Sequence, residues 1–170
     1  MITPGTQSDS REAARLRLAA GAALTLSFVY GVAAAGWYVV PWLQDIERTA
    51  ALVPLLWVHV FRHVALQVLG SATRGFDVPP QVRDRIAYGD VATSVLAFVS
   101  LAALTYDLPF AMLLVWAFSV VGILDLVNAM VSGLRVDAFP KAFDITWLIL
   151  TFYVPILWIT HVLILWKLVT

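Results

Sequence analysis

The amino-acid sequence predicts an all-α integral membrane protein, a five-transmembrane-helix bundle with its N-terminus inside and its C-terminus outside (N-in/C-out). Three observations predict it. Hydrophobic residues fill 61% of the 170 positions and charged residues only 13%, against roughly 45–50% and about 25% in a soluble globule. The apolar residues lie in long continuous runs, and a membrane-crossing helix needs about 20 of them. The basic residues then fall on alternate sides of those runs, as the positive-inside rule asks. A β-barrel is disfavoured, because the runs lack the alternation of barrel strands and a helix satisfies its own backbone in lipid.

Residues 1–17, "MITPGTQSDSREAARLR", form a polar cytoplasmic tail that cannot bury enough apolar area to fold alone and turns helical near Arg11. Residues 18–170 make a single transmembrane domain. Span one runs from Leu18 to Leu43. Its "VAAAG" resembles a signal-peptide cleavage site, but the apolar run continues through "WYVVPWL", which favours an uncleaved span. Gly31, Ala35 and Gly36 in it are small enough to admit a neighbouring helix closely. Span two covers Ala51 to Leu69 and carries "HVFRHVALQ". A polar cytoplasmic loop follows over residues 70–90, marked by Gly, Pro-Pro and alternating charges, with one short amphipathic turn. Span three is Val91 to Tyr106. "DLP" at Asp107 to Pro109 makes a tight turn, with Pro109 suited to the first turn of a helix. Span four runs from Phe110 to Leu134 and span five from Ile145 to Leu168.

Of the eleven Lys and Arg residues, eight lie on the N-terminal side of the bundle: Arg11, Arg15, Arg17, Arg74, Arg83, Arg85, Arg135 and Lys141. Arg48 and Lys167 lie on the other side. That bias sets the orientation and predicts a multi-pass protein of a cell inner membrane. Net charge is zero and cysteine is absent, so neither nucleic acid as a partner nor thiolate chemistry is expected.

Arg62 belongs to neither side. It falls near the bilayer midplane, where an arginine costs about 2.5–3.5 kcal/mol on insertion scales unless it is paired or wetted. In an α-helix His59, Arg62, His63 and Gln67 share one stripe through steps of three and four. Span four offers a matching stripe of Ser119, Gly122, Asp125, Asn128 and Ser132. Asp125 comes out roughly one turn cytoplasmic of His63, so an Arg62–Asp125 ion pair is predicted. His161 in span five reaches about the depth of His59, roughly 10 Å from the outer face, and Pro155 can bend that helix. Two tiers follow: an outer one of His59 and His161, and an inner one of Arg62, His63, Asp125 and Asn128. Asp90 either joins the inner tier or caps span three by accepting the N–H of a residue such as Thr93.

Several readings fit these residues. The leading one is proton-linked binding or transport of a small polar or anionic ligand at His59, Arg62, His63, Gln67, Asp125 and Asn128. The alternative is a haem- or metal-binding redox protein using His59 or His63 with His161. An intramembrane enzyme acting on lipid head groups and a purely structural subunit, in which the ion pair only registers two helices, are further alternatives. Expected partners are membrane lipids and either a second copy or another membrane subunit, because no paired inverted repeat is visible. The combination of "HVFRHVALQ", "AYGD" and "VVGILDLVNA" in five spans resembles small bacterial multi-pass membrane proteins. That resemblance carries over no site residue.

Overall fold

In the computed structural model, which describes residues 5–71 and 76–170, every described element is helical. The first residues of the tail and Arg74 lie outside the described residues. Five helices are long and apolar enough to cross a membrane. We number them α1 to α5.

α1 is one rod, α-helical over Gly5–Ala34, π-helical over Ala35–Val39 and α-helical again over Val40–Gln44. It therefore begins well before Leu18, and the polar tail is part of the helix from Gly5 onward. α5 repeats the device, with Asp144–Leu148, a π-helical turn Ile149–Tyr153 and Val154–Val169. Pro41 and Pro155 stand just after these turns. A proline ring clashes with the carbonyl four residues earlier, which is Trp37 in α1 and Thr151 in α5. Both carbonyls sit in the widened π turns, where the clash is relieved.

α2 comprises Arg48–Val60, a 3-10 segment Phe61–Leu66 and a final turn Gln67–Ser71. α3 is Pro80–Thr105. The sequence reading placed residues 70–90 in a loop and started this span at Val91. The correction follows from "PPQVRDRIAYGD": Pro80 opens the helix where a missing N–H costs nothing, and the charged residues ride on its first turns. α4 is Ala111–Arg135. α3 and α4 end alike, with Asp107 and Asp137 in the left-handed region at φ 50° and 54°. In each case the next residue's N–H reaches back five residues, Leu108 to the Ala103 carbonyl and Ala138 to the Gly133 carbonyl, closing the last turn.

α2, α3, α4 and α5 pack around a core that includes Leu43, Leu52, Leu56, Leu101, Val115, Phe118 and Ile164. α1 reaches this core only with its last turns, through Ala35 and Leu43, and otherwise packs against α5. A Cβ on Gly31 would meet Ile159 Cδ1 at 2.5 Å, so the glycine sets the closeness of that contact. Ala35 is buried beside it. Gly36 is exposed with nothing near its missing Cβ, so of the three small residues it has no packing role. Arg17 pairs with Asp137 and fixes α1 to the α4–α5 connection.

Candidate functional site

The motif "HVFRHVALQ" winds as a 3-10 helix where the sequence predicts an α-helix. An α-helix turns about 100° per residue and a 3-10 helix about 120°, so from Phe61 onward residues three apart share a face. Arg62, Ala65 and Val68 are accordingly buried, while His63, Val64 and Leu66 are exposed. Expected at the inner tier, His63 instead faces outward, its Nδ1–H donating to the Val60 carbonyl at 2.9 Å. Side chains from other helices support the tighter winding. Tyr153 Oη–H donates to the Val58 carbonyl at 2.6 Å and Ser94 Oγ–H to that of Val60. In a continued α-helix those two carbonyls would accept from Arg62 and Val64.

Arg62 is 1% exposed and lies among three helices. Its Nε–H donates to Asp90 Oδ1 on α3 at 2.6 Å, and Nη2–H to Asp125 Oδ2 on α4 at 2.6 Å. Nη1 is buried with no partner. The predicted Arg62–Asp125 pair is present, and Asp90 completes a triad. The capping role considered for Asp90 is corrected, since it lies well inside α3 and Thr93 bonds to Gly89. A glycine makes the triad possible. A Cβ on Gly89 would collide with Asp125 Oδ1, so the bare Cα of α3 is the slot that admits the Asp125 carboxylate. Sequence reasoning passed over Gly89; its signal was a helix-weakening residue beside an acid in an apolar run.

The outer tier also assembles. His59 and His161 are both fully buried, edge to face with centroids 4.1 Å apart, and Phe118 packs on both rings. The Thr160 hydroxyl lies 2.8 Å from the Ile156 carbonyl and 2.9 Å from His59 Nε2. A carbonyl can only accept, so the hydroxyl donates to it and takes the Nε2–H of His59. His161 Nδ1–H donates to the Leu157 carbonyl at 3.3 Å. His59 Nδ1 and His161 Nε2 are left without partners. A Cβ on Gly122 would lie 2.6 Å from His161 Nε2, so this ring too is seated against a glycine, this one on α4.

These rings do not fit the haem reading. Two imidazoles that ligate one haem iron need the macrocycle between them, and here the rings touch. With His63 facing outward, the three histidines do not form a zinc set either, and no group of three or more His, Asp or Glu able to hold a metal occurs among the described residues. Gln67 Nε2–H donates to Thr146 Oγ1 at 2.9 Å, tying α2 to α5. Asn128 is half-buried on α4 and takes no part in the triad.

A cavity of about 90 Å³ adjoins the triad and is lined by residues of all five helices. Arg62, Asp90, Thr146 and Tyr153 are its polar members; the rest of the lining is almost wholly apolar. A family profile described as a domain of unknown function, DUF8737, matches residues 19–169. The chain belongs to the DUF8737 family. No curated protein and no solved structure matches it. The DUF8737 match covers all three triad residues, both buried histidines and both glycine slots.

Proposed function

We propose that this DUF8737 protein is a multi-pass protein of a bacterial inner membrane, N-in/C-out, whose Arg62–Asp90–Asp125 triad carries out proton-linked binding, or transport, of a small polar or anionic ligand. The observation that carries this reading is the bonding of Arg62: a guanidinium buried at 1% exposure, held by two carboxylates and with one nitrogen free. One cation against two carboxylates leaves a formal excess of one negative charge. A proton is the smallest species that neutralises it, and Nη1 remains to donate to a ligand.

The orientation rests on the Lys and Arg asymmetry, and membrane insertion on five apolar helices of sufficient length. In the reconstituted protein, infrared difference spectra between neutral and mildly acidic buffer should show a protonated-carboxyl band that Asp90→Asn or Asp125→Asn removes. Its absence from the wild type would refute proton exchange at the triad.

A further inference from the structure

Resting on that reading, we infer that the cavity beside the triad takes a small monocarboxylic acid, bound as carboxylate plus one proton. The first support is the shape and chemistry of the cavity. Its walls include Leu24, Phe28, Val68, Leu126, Met130 and Leu150, which suit a short hydrocarbon body. At about 90 Å³ it excludes a bulky ligand. Its charged wall is Arg62 and Asp90, and Arg62 Nη1 is the unpartnered buried donor.

The second support is charge balance. With both carboxylates ionised the triad already carries one excess negative charge, so an anion arriving without a proton would bring a second into an apolar, buried site. A weak acid avoids this. It enters as R–COOH, its O–H proton passes to Asp90, and the resulting ligand carboxylate accepts from Arg62 Nη1–H. Only Oδ1 of Asp90 is engaged by Arg62, which leaves Oδ2 to take the proton. No charge is added, one O–H bond breaks and one forms, and binding is linked to one proton.

The test is calorimetric titration of the full-length protein in detergent with propionate and propanamide. Propionate binding should strengthen about tenfold for each pH unit lowered, the signature of one linked proton. Propanamide, which has neither the charge nor the proton, should bind far more weakly and without that dependence. Ala129→Phe, which fills the cavity from α4, should still unfold cooperatively and lose propionate binding. Equal binding of the amide, or propionate binding untouched by Ala129→Phe, would overturn the assignment. The infrared band separates the two levels: if it is present and propionate does not bind at any pH, only the ligand class fails; if it is absent, the proton-linked reading fails with it.

Discussion

At the scale of single residues, two glycines shape the interior by what they lack. Gly89 admits the Asp125 carboxylate and Gly122 admits the His161 ring. In most helices Gly→Ala stabilises by about 0.5–1 kcal/mol, and Gly21, with nothing within 4 Å of its missing Cβ, should behave that way. Gly89→Ala should instead destabilise by about 1–3 kcal/mol through overpacking. Thermal unfolding in detergent gives both numbers. The stripe of Asp125 and Arg62 was legible because a midplane arginine demands a partner and the spacing supplied one. Asp90 stayed between two readings because the start of α3 was placed at Val91, which made an interior carboxylate look equally like a cap; it joins the inner tier. His63 was misread because α-helical periodicity was carried through a segment that winds as 3-10. Nothing in the local sequence specifies that winding; hydroxyls on α3 and α5 support it.

At the scale of elements, the 3-10 segment of α2 is the part that orients Arg62. Its supports are long-range: Tyr153 on the Val58 carbonyl and Ser94 on the Val60 carbonyl. Tyr153→Phe removes the donor from a half-buried carbonyl, which costs about 1 kcal/mol. The prediction is that loss of stability, accompanied by faster amide exchange within residues 61–66 than in α4. A variant that loses stability with exchange in this segment unchanged would show that Tyr153 does not hold the winding. The histidine tier shows a limit of depth arguments. Equal depth in the sequence correctly placed His59 and His161 together, but depth carries no information on ring-to-ring spacing, and contact between the rings removes the haem reading.

At the scale of the whole molecule, the five apolar helices were readable because long hydrophobic runs have few alternatives to a membrane-spanning helix. Their arrangement was not readable. α1 lies mostly at the edge of the bundle and is held through Gly31, the core residues Ala35 and Leu43, and the Arg17–Asp137 pair. Orientation is open to a direct check because the chain has no cysteine. Tyr106→Cys, at the exposed end of α3, should react with a membrane-impermeant thiol reagent in intact cells. Asp84→Cys, at the opposite end, should react only after permeabilisation. The reverse pattern would invert the topology.

The central claim is that Arg62 is stable in the interior because both Asp90 and Asp125 hold it, and that the same three groups form the proton site. Removing the arginine alone leaves two buried carboxylates facing each other, a change that costs about 3–5 kcal/mol for a buried pair. Apolar residues in place of all three remove the buried charge altogether and are often neutral or stabilising. The decisive measurement is therefore the unfolding stability of Arg62→Met beside that of Arg62→Met/Asp90→Leu/Asp125→Leu. The single variant should be strongly destabilised, and the triple variant should recover the stability of the wild type while losing the protonated-carboxyl band. A single variant as stable as wild type, or a triple variant no more stable than the single one, would contradict the account.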